Sequence, residues 1–573
     1  MIDILIKNGI IIDGTGSKAY YGNIGIKKDK IILDKQLHED HSHIVIDASG
    51  KIVAPGFIDI HSHHDLYIVD QDPVQRFSSF VLQGVTTSVV GNCGWAMAPC
   101  LPKYKSMVLE LIQSMSVPVK QFYWESMKEY LSYIQRNSLM CNIAQLAAHG
   151  PIRISVMGDE NRFCTDKELK QMKKLLRECM DAGCVGFSTG LMYYPGMYAH
   201  TDELIELAKV AGEYGRPYAS HLRGYCTTLP FSITEAVTIA EKAKVPLQIS
   251  HLHSLPFLGW ISNVLPYFFT IIEAINSVIP LPGVPNPALD KGLEIINKAI
   301  DKGIDVGMDA VPYTMGNTTI TALFPPWVNR GGRKKLLERL KDPEVRKKIK
   351  KQIETVIPQW PHWEEDSWSD PHIRAIGWKP VKVLSVRSDR NRWTEGKSFV
   401  EIAKVWKTDP FDALCRLTLE EEGEVTYIYG YPAKPWLEKM FNKMLLHPMM
   451  SIGADSILPA YKEGTPPASA YGCFPRFIGH YSRELRLFPL EEAIRRITGL
   501  AASRYKLENR GIIKHNAFAD IVIFDPDEIN EQLTDDGKPA SSTGIVHVFI
   551  NGKHIVENAN LKKGIMPGRV LKA

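Results

Sequence analysis

The chain has few of the features that would mark a secreted, nucleic-acid-binding or membrane-spanning protein. It has nine cysteines in 573 residues, unevenly spaced and without a CxxC pair. That argues against a disulfide scaffold or a redox motif and for a reduced, cytoplasmic protein. The net charge is only +4. The densest basic clusters, Arg333-Lys334-Lys335 and Arg346 to Lys351, are short and read as solvated helix faces, so no nucleic-acid partner is expected. The start, Met1 to Lys7, lacks a basic segment followed by an apolar core and reads as a strand rather than a signal peptide. The most apolar stretch, Leu255 to Pro280, is broken by Asn263, Pro266, Glu273 and Asn276, which disfavours a membrane span of about 20 residues.

What remains is ordinary globular composition, 45% hydrophobic and 23% charged. Short β-type runs fill residues 1–54 and return near the C-terminus, at Asp520 to Asp525 and Ile545 to Ile550. The two ends are expected to form one small β-sandwich domain, 1–54 with 500–573. Pro55-Gly56 opens the main domain, 55–499. There strands and helices alternate, with predicted strands at 57–60, 86–90, 142–147, 184–189, 217–220, 245–250, 304–310 and 449–454. Most are apolar runs without clean alternation, as expected for strands buried on both faces. Eight such strands predict an α/β fold, a TIM-like (β/α)8 barrel. Thr165 to Glu168 reads as a capping box, and Thr201 as the cap of a later helix that stops at Gly215. Two connections are too long for plain loops, about 255–285 and 312–447. The second is expected to carry helices of its own.

Metal-type residues stand at the predicted strand ends: His61 and His63, Cys93, His221, His251 and Asp455. A parallel barrel gathers these ends on one face, where such folds place their chemistry. His61 and His63 follow an apolar strand, two residues apart, and both can turn towards one ion. Cys93, between Asn92 and Gly94, is a buried structural thiol, a nucleophile activated by a histidine, or a thiolate ligand; four histidines at the same face favour the ligand. Ser220-His221 and Ser250-His251 repeat one pattern of apolar strand, serine and histidine. His253 reads equally as a substrate-side group or a surface residue, and His149 as structural, or an outer support at most. A lone strand-end aspartate is often a loop cap. Among these ligands Asp455 is the natural base and acid, taking a proton from the attacking water and returning it to the leaving nitrogen.

These residues resemble the amidohydrolase superfamily and, within it, the D-aminoacylase (N-acyl-D-amino-acid deacylase) family. The resemblance rests on Ala54 to His63, Gly91 to Gly94, Gly186 to Leu191 with Tyr193 and Pro195-Gly196, and Ala219 to Arg223. It continues through Ile249 to His251, Pro312 to Thr314, Tyr471 to Arg476, Thr498 to Ala502 and Phe518 to Val522. It implies a tight zinc held by Cys93, His221 and His251, a second and weaker site at His61 and His63, and Asp455 as acid and base. It also implies Tyr193 near the scissile carbonyl and substrate contacts from Tyr313 and Arg476, with Arg223 either touching substrate or supporting the site from outside. The chain departs from the family after the aspartate. Where an arginine usually grips the amino-acid carboxylate, the sequence reads Pro467-Ala468-Ser469, and serine cannot replace a bidentate guanidinium. Ser254 also stands where a basic residue often follows the sixth-strand histidine. Either Arg223 or Arg476 takes over the carboxylate, or the substrate lacks it. The expected activity is hydrolysis of an N-acyl-D-amino acid or a related, lipophilic N-acyl compound. The rivals are a cyclic amidase or lactonase and a non-catalytic binder of acylated ligands. The apolar stretch 255–280 packs as a helical hairpin or oligomer interface, lines an acyl pocket, or touches a membrane surface. The oligomeric state is open.

Overall fold

The computed structural model describes the chain except for residues 35–36, 70–72, 114, 116–118, 120–121, 258–271, 273–274, 277–278, 280–284, 362–366, 432–434, 459–465 and 535–537. Most of the apolar stretch, Phe268 and Phe269 included, lies outside the described residues, and with it the readings placed on that stretch.

Eight parallel strands form the central barrel: β1 (Phe57–Asp59), β2 (Val85–Val90), β3 (Asn142–Ala148), β4 (Gly186–Gly190), β5 (Tyr218–His221), β6 (Leu247–Ile249), β7 (Val306–Ala310) and β8 (Met450–Ile452). Each pairs with its sequence neighbour from β1 to β8, so the sheet is a nearly closed ring. Every residue of these strands is buried, because helices cover the outside and side chains fill the inside. The seam between β8 and β1 is held by other bonds. The Asp59 carboxylate accepts from Ala454 N at 2.9 Å, and His61 O accepts from Asp455 N at 2.9 Å. A side chain on Gly453 would meet His61 Cβ at 2.5 Å, so glycine is needed for this close approach.

Between strands, local chemistry sets the helix limits. Thr165 and Glu168 form the expected capping box of the helix Asp166–Ala182, which ends at left-handed Gly183. The next helix differs from expectation. Thr201 is its first residue, and the His200 side chain is the cap, accepting from Asp202 N; the helix ends at Glu213. An imidazole acceptor two residues back serves the same orphan N–H groups that a hydroxyl would.

Both termini enter one nine-stranded sheet, in which Ile52–Pro55 pairs with Ile521–Phe524 and Ile2–Ile11 lies near the centre. Part of the C-terminal segment belongs to the barrel. Ala501, Ala502, Tyr505 and Leu507 pack with Ile58, Ile60, Val89 and Leu146, and Val570–Leu571 pairs with β3. The long connection after β7 carries helices, as expected. It also carries a three-stranded antiparallel sheet that the sequence reading lacked: Met315–Thr319, Val381–Ser385 and Thr426–Gly430. These strands are five residues each, and the paired ones are 40 and 106 residues apart, so no short-range hairpin signal marks them. Among the described residues no helix is long and apolar enough to cross a membrane. The nine cysteines are unbridged.

Candidate metal centre and active site

The strand ends deliver their polar residues to one point. Donor atoms of His61, His63, Cys93 and Asp455 lie within 4.8 Å of one another, and so do those of Cys93, His221 and His251. Cys93 belongs to both groups. Its Sγ is 3.3 Å from His61 Nε2 and 3.4 Å from His251 Nε2. Asp455 Oδ1 is 3.2 Å from His63 Nε2 and 3.5 Å from His61 Nε2.

The backbone is bent to achieve this. Cys93, His251 and Asp455 have φ of 54°, 33° and 42°, in the left-handed region that non-glycine residues seldom occupy. Each stands two or three residues past the end of a barrel strand and lines the cavity at the mouth. Glycines make room around them. A Cβ on Gly190 would lie 2.0 Å from Cys93 O, and one on Gly91 would lie 2.6 Å from Leu146 O.

Burial shapes the protonation states. It pushes His251 down to about 3 and His63 and His221 below their ordinary value, so all three are neutral and free to ligate. Burial also opposes charge on His61, yet Cys93, Asp309 and Asp455 together raise it well above its ordinary value. Burial likewise works against the Asp455 carboxylate, but His61, His251 and His63 hold it well below the usual range, so it is ionised at neutral pH. The Cys93 thiol is pushed up to about 11 by burial. A divalent ion reverses that preference, because a coordinating thiol gives up its proton.

The donor set fits a zinc ion. His221 is buried, and among the described residues neither of its ring nitrogens has a hydrogen-bond partner. A buried imidazole with both nitrogens orphaned needs a ligand such as a metal. Tetrahedral zinc separates a thiolate sulfur and an imidazole nitrogen by about 3.5 Å, close to the Cys93–His251 spacing. Cys93, His221 and His251 would hold the ion, with His61 and His63 flanking it.

Of the residues expected to meet substrate, Tyr193 and Tyr313 line the cavity above the centre. The Tyr193 hydroxyl is 2.7 Å from Thr318 Oγ1, and its ring packs against His221 and Trp95. Tyr313 donates to Glu531 Oε2 at 2.8 Å. Arg223 and Arg476 are engaged elsewhere. Arg223 is wholly buried; it pairs with Glu235 at 2.8 Å and donates to the carbonyls of Met197 and Ala199, so it braces the fold behind the site. Arg476 pairs with Glu438 at 2.9 Å and with Glu531, and donates to Pro312 O, so its charge is matched within the protein. Neither residue lines the cavity. His253 does: its Nδ1 donates to His251 O at 2.8 Å and its ring stacks on Tyr225. His149 is bound to Glu203 at 2.8 Å, away from the cavity.

Sequence reasoning missed Asp309, at the end of β7. Its carboxylate lies 3.1 Å from His61 Nδ1, accepts from His251 N at 2.7 Å, and takes a 2.8 Å bond from Gln248. The available signal was a carboxylate one residue before the end of a buried apolar strand. Tyr225, whose hydroxyl is 3.2 Å from His251 Nδ1, was missed as well.

A parallel barrel with this histidine, cysteine and aspartate cluster at its mouth defines a hydrolase scaffold of the metal-dependent class. Residues 44–256 match the amidohydrolase family. Over 571 residues the chain is 28% identical to a D-aminoacylase from Alcaligenes xylosoxydans xylosoxydans, covering 99% of this chain and 97% of that protein. It is also 28% identical to an N-acyl-D-glutamate deacylase from the same organism, covering 100% of this chain and 96% of that one. Among solved structures, an N-acyl-D-glutamate deacylase from Bordetella bronchiseptica, complexed with zinc and a phosphonate inhibitor, aligns with a TM-score of 0.76 at 26% identity over 100% of both chains. A D-aminoacylase structure aligns at 0.74 and 25%, again over both whole chains. The chain is thus similar to amidohydrolases of the D-aminoacylase kind along its whole length.

Proposed function

We propose that this chain is a zinc-dependent deacylase that hydrolyses the amide bond of N-acyl-D-amino acids or related N-acyl compounds. The observation that carries the reading is the meeting of Cys93, His221 and His251 beside the ionised Asp455. The relatives named D-aminoacylase and N-acyl-D-glutamate deacylase support it.

Zinc bound by Cys93, His221 and His251 would polarise the scissile carbonyl and lower the pKa of water towards about 7. His61 and His63 would form a second, weaker position. Asp455 accepts the proton of the attacking water at Oδ1 and passes it to the departing nitrogen. Tyr193, fixed by Thr318, Trp95 and His221, orients the carbonyl. Tyr225 and Asp309 hold His251 and His61 in place from outside the ligand set.

The test is amine release by the zinc-loaded protein from paired D- and L-N-acyl amino acids. Release from the D series supports the reading. No release from either series, offered with free and with amidated carboxyls and with zinc bound, refutes it.

A further inference from the structure

The cavity that opens onto the metal centre is apolar on one side. The helix Pro435–Leu445 presents Leu437, Met440, Phe441 and Met444 to it, at spacings of three, four and seven residues that form one helical stripe. A stripe of this kind ordinarily meets another element. Here Phe441 and Met444 join the hydrophobic core, and all four side chains also line the cavity together with Leu255 and Leu289. Methionine suits a wall that must fit chains of differing length, because it is unbranched and polarisable.

Away from the metal position, the described lining of the same cavity offers no cationic side chain to an anion. Among its described lining residues there is no lysine or arginine, and the charged carboxylate Asp455 stands within it. Arg476 and Arg223 are matched by Glu438, Glu531 and Glu235. A free carboxylate brought into this space would be desolvated without a cation, which is unfavourable by several kcal/mol in apolar surroundings. The cavity encloses about 140 Å³. An engineered hydrophobic cavity of about 150 Å³ holds a benzene molecule, so a six-carbon group is a fair measure of the space.

We infer that this site takes N-acyl compounds with a medium-length aliphatic acyl chain and no free carboxylate on the amine side, a class unlike the acyl-D-glutamate of its relative. The inference rests on the amide-hydrolase reading. The amine leaves as a neutral base that takes a further proton from water and then needs water or a carboxylate around it, whereas the acyl chain stays apolar throughout. The hydrocarbon wall therefore belongs to the acyl side.

The experiment compares N-hexanoyl with N-acetyl substrates, each on D-alanine and on D-alaninol, with the zinc-loaded protein. Each buried methylene contributes up to about fourfold in binding, so hexanoyl should exceed acetyl by at least about tenfold in kcat/KM. The alaninol compound should be cleaved at least as well as the acid. Met440→Asp should shrink the hexanoyl-to-acetyl ratio at least about tenfold, and Ser254→Lys, which adds a cation to the cavity wall, should shift preference towards the acid. A preference for acetyl, or for the free acid by tenfold or more, overturns the inference and leaves the deacylase reading standing. Binding of hexanamide, followed by tryptophan fluorescence, separates the other failure: tight binding with no turnover of any substrate keeps the hydrocarbon site and refutes the deacylase. Neither binding nor turnover overturns both.

Discussion

The carboxylate of Asp309 lies 3.1 Å from Nδ1 of His61, while Nε2 of the same ring faces Cys93 and Asp455. One side of the imidazole is thus held by a carboxylate and the other is presented to the centre. Such outer partners fix ring orientation and raise ligand basicity, and their loss typically costs 10–100-fold in metal affinity or activity. Asp309→Asn should weaken metal binding by about that factor, and equilibrium dialysis against a zinc chelator would measure it. Unchanged affinity would remove Asp309 from the positioning role.

Cys93 is the donor shared by both groups of metal-type residues. Cys93→Ala should release the tightly held zinc and lower activity by roughly a thousandfold or more, since catalytic zinc sites depend on their three protein ligands. Elemental analysis beside the amide assay checks both. Full zinc content with normal turnover would exclude the ligand role.

Asp455→Asn keeps the shape of the side chain and removes its charge. General acid–base groups contribute about 10²–10⁴-fold, so kcat should fall in that range while zinc content changes little. A drop confined to KM would point to substrate binding in place of proton transfer.

Arg223 and Glu235 are both buried and joined at 2.8 Å. Arg223→Ala strands the Glu235 carboxylate, which in buried pairs costs about 3–5 kcal/mol. Chemical denaturation should show this loss, and KM in the surviving folded fraction should be near normal. A raised KM with unchanged stability would return Arg223 to the substrate.

His547 and His554 meet in the terminal sheet, with 3.1 Å between Nδ1 and Nε2. Burial lowers His554 to about 4, helped by His547, and Glu557 only partly offsets this. The folded pKa lies below the unfolded value of about 6.5, so the unfolded chain binds more protons between those limits. Stability from this group is complete above about pH 6.5 and is lost as pH falls towards 4. The melting temperature should decline across that window, and His554→Gln should flatten the decline. An equal slope in the variant would exclude His554 as the source.

Much of the barrel was legible because its strands are short apolar runs with histidine, cysteine or aspartate just beyond them. Burial on both faces writes the run, and the C-terminal mouth writes the polar end. What the sequence left unread depends on partners far along the chain. Arg476 is drawn from a substrate role by Glu438 and Glu531, and Arg223 by Glu235 and two carbonyls. Asp309 looked like part of a strand because its meaning comes from His61, 248 positions away and across the seam. The sheet inside the long connection was hidden for the same reason. His200 displaced Thr201 as a cap because two adjacent residues offered an acceptor, and only the backbone chose between them.

The left-handed backbone at Cys93, His251 and Asp455 has a consequence for how this protein can change. Such conformations cost of order 1–3 kcal/mol each, and glycine is largely released from that cost. Three of the positions proposed for zinc and proton transfer are therefore ones where losing the side chain relaxes the polypeptide. Selection for heat resistance alone would drift towards a sturdier and inactive barrel, so screens for thermostable variants need to keep the amide assay in the loop.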